Sequence, residues 1–242
     1  MKVVAIVQAR MSSTRLPGKI LKTVLHKPLL QYQMERLQRC KTLDQIVIAT
    51  TTNECDDTIV AFCQQHNISF YRGSEHDVLA RYYEAAALYE ADVVVRITSD
   101  CPVIDPSVVD KVVHTYVENP TYDYLSNTLL RSYPRGMDTS LMPYKTLAAI
   151  HAVATDPADR EHVTKYAYDR PQQFVVGNVA NDVDYSEHRW TVDTIEDFEV
   201  VKILLEALYP SNKNFTMNDM VRYVEEHPNV QAINAHIEQK KV

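Results

Sequence analysis

Residues 3–19 read VVAIVQARMSSTRLPGK, an apolar run that passes directly into a loop of cations and hydroxyls. The run Val3–Val7 indicates a buried strand, and Pro17 and Gly18 interrupt regular structure after it. A loop of this composition, leaving the end of a strand and leading towards a helix, is suited to binding a polyphosphate.

The loop contains the donors that a polyphosphate needs. Arg10, Arg15 and Lys19 supply charge and forked hydrogen-bond donors. The hydroxyl residues 12–14 and the backbone N–H groups can complete a cradle around phosphate oxygens. A solvated basic turn is the alternative interpretation of the same residues.

The composition is that of an ordinary globular protein of 242 residues, with 45% apolar and 24% charged residues. A net charge of −7 argues against a nucleic-acid partner, although a local basic loop can still bind a nucleotide. The sequence contains no run of about 18 apolar residues, so no membrane span is predicted. It opens on a predicted strand rather than on a signal segment. The 4 cysteines lack the C-x-x-C spacing of a metal or redox site, and two of them, Cys40 and Cys63, are expected to be buried apolar residues. The simplest expectation is a cytoplasmic protein in a reducing compartment.

The first half of the sequence alternates strands with helices. Apolar, β-branched segments predict strands at Lys2–Ala9, Gln45–Thr50, Ile68–Tyr71 and Asp92–Thr98. Helices are predicted at 28–40, 53–66 and 77–90, and a further helix begins at Asp105-Pro106. The predicted fold class is therefore α/β, a Rossmann-like, mostly parallel central sheet with helices on both faces.

The second half is less regular. Strands are predicted at Tyr122–Asn127, Gln173–Val179 and His188–Val192, and helices at Lys145–Thr155, Asp159–Tyr168, Thr194–Leu208 and Asn218–Glu226. No linker separates the halves, so we expect residues 1–242 to form a single domain. Its first part, 1–120, would bind a nucleotide, and 121–242 would bind the acceptor and complete a metal site.

Three polar loops follow the ends of predicted strands: residues 10–19, the Gly73 loop and the Asp100 turn. In parallel sheets, ligands bind at the carboxyl ends of the strands, near a switch in strand order. We therefore expect these loops to converge on one crevice. Arg96, near the end of an apolar strand, is expected to point into the same crevice, because an unpaired buried arginine would be costly.

Asp100 and Asp193 are candidate ligands for Mg²⁺, which prefers carboxylate oxygens together with substrate phosphates. Each has a structural alternative. Asp100 could bond its own turn backbone, and Asp193, three residues before Glu196, fits a helix N-cap. The sequence leaves both alternatives open.

Together these groups fit transfer of a nucleotidyl group. A nucleophile would attack the α-phosphorus of a nucleoside triphosphate, and pyrophosphate would leave. Arg15 and Lys19 would neutralise charge on the β- and γ-phosphates. Mg²⁺ on Asp100 and Asp193 would polarise the α-phosphate.

Six motifs, in order along the chain, resemble those of a known family. They are 8–19 (QARMSSTRLPGK), 72–74 (RGS), 77–83 (DVLARYY), 96–102 (RITSDCP), 160–164 (REHVT) and 189–197 (RWTVDTIED). The sequence resembles the SpsF family of spore-coat polysaccharide biosynthesis proteins, which belongs with the cytidylyltransferases that activate Kdo and acylneuraminic (sialic) acids. The motifs span most of the chain, which makes the set far more specific than any one of them.

The resemblance implies a nucleotide-diphospho-sugar transferase fold, CTP as donor, Mg²⁺, a sugar acid or related acceptor, and a homodimer. By motif position it assigns the triphosphate loop to Ala9, Arg10, Ser13, Arg15 and Lys19, the base and ribose segment to Gly73 and Ser74, and the metal to Asp100 and Asp193. Arg15, Lys19, Asp100 and Asp193 are then the residues expected to act in catalysis.

Residues 136–140, GMDTS, depart from the more acidic Gly-x-Asp-x-Glu of the relatives, which leaves the acceptor's identity open. Arg135, His162 and Arg189 are the candidate acceptor-binding residues. A structural ion pair is the alternative for the two arginines, and a position on a helix face is the alternative for the histidine.

Two other functions fit the same fold. A metal-dependent glycosyltransferase would use a nucleotide-sugar donor, but residues 99–101 read Ser-Asp-Cys rather than Asp-x-Asp, and a triphosphate cradle would be surplus. A catalytically silent nucleotide-binding partner in a polysaccharide assembly complex would not need both aspartates and all three loop cations.

Overall fold

A seven-stranded sheet forms the centre of the computed structural model, which describes residues 1–239. Its strands, in the spatial order β5-β4-β1-β6-β8-β7-β9, are β1 Val3–Gln8, β4 Gln45–Thr51, β5 Ser69–Gly73, β6 Val93–Thr98, β7 Tyr124–Ser126, β8 Ser140–Pro143 and β9 Val176–Asn178. A separate two-stranded ribbon pairs β2 Thr23–Val24 with β3 Lys27–Pro28.

The helices cover both faces of the sheet. They are α1 Leu29–Leu37, α2 Asp57–Gln65, α3 Val78–Leu88, α4 Pro106–Glu118, α5 Tyr144–Val153, α6 Pro157–Glu161, α7 Lys165–Tyr168, α8 Ile195–Leu208, α9 Met217–Glu226 and α10 Pro228–Ala232. Buried residues of α1, α2 and α4 pack on one face, and those of α3 and α5 pack on the other. A further apolar cluster packs α8 and α9 against Leu29, at the start of α1, and Val103, before α4. The predicted α/β class, with helices on both faces, is confirmed.

The order of the strands creates the crevice. β1, β4, β5 and β6 run parallel, with β1 between β4 and β6. The chain steps outward from β1 through β4 to β5 and then returns to the opposite side of β1 for β6. Strand order therefore reverses at β1 and β6, where a doubly wound sheet opens a crevice at the carboxyl ends.

The regular first half follows the sequence predictions closely, whereas the second half requires corrections. β8 is antiparallel to both β6 and β7 and was not predicted. The predicted helix Asp159–Tyr168 is two short helices, separated at Val163, whose φ of 47° lies in the left-handed region. A β-branched residue is strained there, so the helix ends and the chain turns.

The predicted strand His188–Val192 is wrong. Its backbone makes one isolated bridge, between Arg189 and Arg135, rather than joining the sheet. The Trp190 N–H donates to the Arg135 carbonyl at 2.7 Å, and the Val192 N–H donates to the Asp100 carbonyl at 2.8 Å. These bonds pair backbone N–H groups of the buried segment although it does not form a strand of the sheet.

No helix within residues 1–239 combines the length and the apolar character needed to cross a bilayer.

Candidate active site

A cavity of about 310 Å³ opens at the carboxyl ends of β1 and β6. Its lining combines the early basic loop with residues from four later parts of the chain: Gln8, Ala9, Arg10, Ser13, Thr14, Arg15, Lys19, Arg81, Arg96, Thr98, Ser99, Asp100, Glu161, His162 and Asp193. We call it the first cavity. The loop and the Asp100 turn therefore meet as expected, and Arg96 points into the crevice as expected.

The basic loop is folded back on itself by local hydrogen bonds. The Met11 carbonyl accepts from the Ser13 N–H at 2.9 Å and from the Gly18 N–H at 3.1 Å. Gly18 has a φ of 66°, a left-handed conformation that glycine adopts without a steric cost. The Met11 N–H in turn donates to the Asp56 carboxylate at 2.7 Å, which ties the loop to the neighbouring β4–α2 connection. The loop is thus preformed rather than extended into solvent.

One lysine joins the two aspartates. The Lys19 Nζ lies 3.2 Å from Asp100 Oδ2 and 2.9 Å from Asp193 Oδ1. A guanidinium nitrogen of Arg15 lies 2.9 Å from the same Asp193 oxygen. The side chains of Lys19 and Asp193 are only 11% and 9% exposed, so these charges interact with little screening by water. Two carboxylates 93 positions apart in the numbering, 193 against 100, therefore face one cation.

Mutual attraction keeps the Lys19–Asp100 pair ionised. Burial alone would raise the pKa of Asp100, but the Lys19 ammonium and the Thr98 hydroxyl hold it below its ordinary value. Burial alone would lower the pKa of Lys19, but Asp100 and Asp193 raise it above its ordinary value. At neutral pH the site thus holds both charges of the Lys19–Asp100 pair.

Asp193 is positioned by its neighbours rather than by capping a helix. The helix N-cap is Thr194, whose hydroxyl accepts from the Asp197 N–H in a capping box. The N-cap alternative for Asp193 is therefore wrong by one residue. The Asp193 N–H donates to Asp197 at 3.0 Å, which leaves the Asp193 carboxylate for the loop cations and Arg189.

The donor set fits a hard divalent cation. Asp100 and Asp193 offer oxygen atoms only, and both already face one shared positive charge, the Lys19 ammonium. Mg²⁺ usually binds one or two carboxylates together with substrate phosphates. Within residues 1–239, no group of three or more His, Cys, Asp or Glu side chains is placed to hold a metal. Phosphate oxygens would therefore have to complete the coordination.

Gly73 and Ser74 do not line the first cavity, but they position a residue that does. The Arg81 guanidinium donates to the Ser74 carbonyl at 3.0 Å, and a Cβ added to Gly73 would lie 3.1 Å from Arg81 Cγ. Arg81 is 1% exposed, and its burial lowers the pKa of the guanidinium. Within the described residues its Nε has no hydrogen-bond partner. A buried cation of this kind on the cavity wall suits an anionic ligand.

Of the three acceptor-binding candidates, only His162 lines the crevice. It borders the first cavity and an adjacent one of about 190 Å³, which we call the second cavity. Arg189 is 6% exposed, and its guanidinium bonds Asp197 at 2.8 and 3.0 Å and Asp193 at 3.1 Å. The ion-pair alternative therefore describes Arg189, which holds Asp193 in place. Arg135 lines neither cavity within the described residues; its backbone forms the bridge to Arg189.

Sequence reasoning missed several residues of the cavity walls, notably Gln8, Arg81 and Glu161. Arg81 could have been found, because the 3.6-residue period places it on the buried face of α3 between Val78 and Ala85. A charged residue on such a face is a signal of function. Glu161 lies within the quoted motif 160–164 but gives no comparable periodic signal; its carboxylate lies 3.8 Å from the Arg10 guanidinium.

Comparison with known proteins identifies the family of the chain. A sequence profile of the cytidylyltransferase family matches residues 4–239. The chain is 32% identical over 209 residues to the spore coat polysaccharide biosynthesis protein SpsF of Bacillus subtilis, covering 83% of this chain and 85% of that protein.

Solved structures give the same result. A cytidylyltransferase from Leptospira borgpetersenii superposes with a TM-score of 0.92 and 32% identity, and 100% of each chain is covered. A CMP:2-keto-3-deoxy-manno-octonic acid synthetase solved in complex with CTP shares the fold, with a TM-score of 0.65 and 18% identity over 85% of this chain and 99% of that chain. The chain therefore belongs to the cytidylyltransferase family, as its sequence motifs predicted.

Proposed function

We propose that the protein transfers CMP from CTP to a sugar acid or related acceptor and releases pyrophosphate. An acceptor oxygen forms a bond to the α-phosphorus, and the bond from that phosphorus to the oxygen bridging the α- and β-phosphates breaks. The observation that carries the proposal is the convergence of Lys19, Asp100 and Asp193 in one cavity, with Lys19 Nζ 3.2 Å and 2.9 Å from the two carboxylates.

The residues of the first cavity divide this work. Arg10, Arg15 and Ser13 lie on the loop and would bind the triphosphate, while Lys19 would neutralise charge that develops on the leaving pyrophosphate. Asp100 and Asp193 would hold Mg²⁺, which in such sites polarises the phosphate and activates the attacking oxygen. Gly73 and Ser74 lie outside this cavity, and by motif position they would contact the base and ribose of a nucleotide that extends past Arg81. Holding the reactants in line accounts for much of the rate enhancement.

The experiment offers ATP, GTP, UTP and CTP separately, with Mg²⁺ and a pool of sugar acids, and measures pyrophosphate. Release with CTP alone is the expected result. Release of a nucleoside diphosphate from a sugar nucleotide would instead support the glycosyltransferase alternative, which family membership does not favour. Binding of CTP without turnover would support the catalytically silent partner. A homodimer remains a prediction from the family resemblance, and a cytoplasmic location remains a prediction from the sequence.

A further inference from the structure

The second cavity adjoins the first along a shared wall. Arg96, Thr98 and His162 border both cavities. The remaining residues of the second cavity come from β7, β8, the connection between these strands, and the α6–α7 region: Tyr124, Thr128, Asp138, Thr139, Ser140, Thr164 and Tyr168. Its volume of about 190 Å³ is small beside the roughly 300–1,000 Å³ of sites for drug-sized ligands, so it suits a small molecule.

Arg96 reaches this wall from the centre of the sheet. It pairs with Ile6 of β1 on one side and with Ser140 of β8 on the other. Its guanidinium donates to the Gln8 side-chain oxygen at 3.2 Å, a neutral acceptor. Its Nε is buried and has no hydrogen-bond partner within residues 1–239. The cross-strand neighbour Ser140 is short and uncharged, so Arg96 meets no carboxylate at that position.

The other charged groups of the second cavity do not neutralise Arg96. Asp138 is held by Arg131 in a two-point ion pair, with distances of 2.7 and 2.9 Å. Among the described residues Arg96 forms no salt bridge. The second cavity therefore contains one guanidinium, that of Arg96, with N–H groups that are not used in hydrogen bonds among the described residues. A carboxylate, which carries one charge and accepts two parallel hydrogen bonds, matches it.

Most other residues of the wall bear a hydroxyl group on a side chain that also presents methyl or ring carbons to the cavity. These residues are Thr98, Tyr124, Thr128, Thr139, Ser140, Thr164 and Tyr168. Hydroxyls can donate or accept a hydrogen bond, so this lining suits a ligand that itself bears many hydroxyls.

We propose that the second cavity binds the acceptor, a polyhydroxylated carboxylic acid, and that Arg96 binds its carboxylate and selects the acid over uncharged sugars. This inference rests on the proposed function, because it assigns the second substrate of the same site. It makes Arg96 a specificity residue, and it leaves triphosphate binding to the loop cations of the first cavity.

The test measures binding rather than turnover. Wild type, saturated with Mg²⁺ and α,β-methylene-CTP, which cannot be cleaved at the α-phosphorus, is titrated calorimetrically with 3-deoxy-manno-octulosonate, N-acetylneuraminate and gluconate. The methyl ester of each acid serves as its uncharged match. We expect at least one acid to bind wild type at least about tenfold more tightly than its ester.

Three variants then test whether the Arg96 guanidinium is the group that binds the carboxylate. Arg96→Gln should weaken binding of that acid at least about tenfold and leave the ester unchanged, while Arg96→Lys should retain part of the preference. Ser140→Glu, which sets a carboxylate beside an intact Arg96, should abolish the preference as well. Arg222→Gln, at a guanidinium side chain that is 68% exposed on α9, is the control and should change nothing. Affinity for the CTP analogue should stay within about threefold of wild type in all four variants.

The outcomes separate this inference from the proposed function. It is overturned if no acid binds wild type, if the preference for acid over ester survives Arg96→Gln, or if that variant weakens the CTP analogue as much as the acid. Arg96-dependent binding without pyrophosphate release from CTP would remove the proposed function and leave the acid site standing. Pyrophosphate release with an unchanged preference in Arg96→Gln would remove only the acid site.

Discussion

The two cavities differ in both charge and origin. The first cavity is lined by loop cations and by two carboxylates that share one ammonium, whereas the second is lined chiefly by threonine, serine and tyrosine side chains. Three of the five arginine and lysine side chains that line the first cavity come from one continuous stretch of chain, residues 9–19. The second is assembled from short segments between residues 96 and 168. A single loop can therefore supply several of the cations that would bind a charged ligand. The second cavity, in contrast, forms only when separate segments of the chain pack together.

The largest expected effect follows from the carboxylates of the first cavity. Asp100→Asn and Asp193→Asn should each lower kcat at least about 100-fold, because each removes a charge that faces Lys19 and the proposed metal. Asp138→Asn, the same change in the second cavity, should lower it less than about tenfold, since Arg131 already neutralises that carboxylate. Steady-state kinetics and thermal unfolding of all three would show this, and full activity of Asp193→Asn would make that residue purely structural.

A smaller effect is expected for the exposed loop cation. Arg15→Gln should raise KM for CTP about tenfold to 100-fold and leave KM for the acceptor unchanged, because one charge-assisted contact to phosphate is lost. The side chain is 41% exposed and has room to reach a ligand. Initial-rate kinetics with each substrate varied in turn would measure the split. An equal change in both constants would contradict the separation of the two cavities.

Two glycines with left-handed backbone conformations allow a comparison of the basic loop, which contains Gly18, with the segment between β7 and β8, which contains Gly136. Gly136 has a φ of 104°, and an added Cβ would lie 2.7 Å from the Trp190 carbonyl carbon, so Gly136→Ala cannot be relieved by a side-chain movement. We expect it to lower the free energy of unfolding by at least about 2 kcal/mol. At Gly18, with a φ of 66°, the added Cβ would meet only the flexible end of Met11 at 3.3 Å, and the expected loss is about 1 kcal/mol. Urea denaturation would measure the free energy of unfolding of both variants. Equal losses would show that the backbone contact at Gly136 costs no more than the side-chain contact at Gly18.

The smallest effect is on the pH dependence of stability. The folded-state pKa of Asp100 lies below its ordinary value, so its contribution is present above the ordinary aspartate pKa of about 3.9 and is lost as the pH falls through the lowered folded value. Asp100→Asn removes that contribution. Its free energy of unfolding should therefore fall less steeply than that of wild type below about pH 4. Urea denaturation across this range would test it, and parallel curves would show that Asp100 does not titrate differently on folding.

The sequence determined the loop side of the first cavity, but it did not assign Arg81 or Glu161 to the other walls. Residues 3–19 combine a buried strand with three cations and a left-handed glycine, and these local preferences survive whatever packs around them. Strand and helix alternation then fixed which ends of the strands face the crevice, so Asp100 could be placed correctly. The position of Asp193 near it was a hypothesis from the motifs, and no periodicity in residues 188–192 required it.

Only the tertiary structure decided how the second half closes the site. β8 has four residues, Ser140–Pro143, and its pairing with β6 depends on contacts that no short segment encodes. The same holds for Arg189, whose choice between an acceptor and an ion pair was settled by the burial of Asp197 beside it. Local sequence sets local conformation, whereas the partner of a charged side chain is set by which distant segment packs against it.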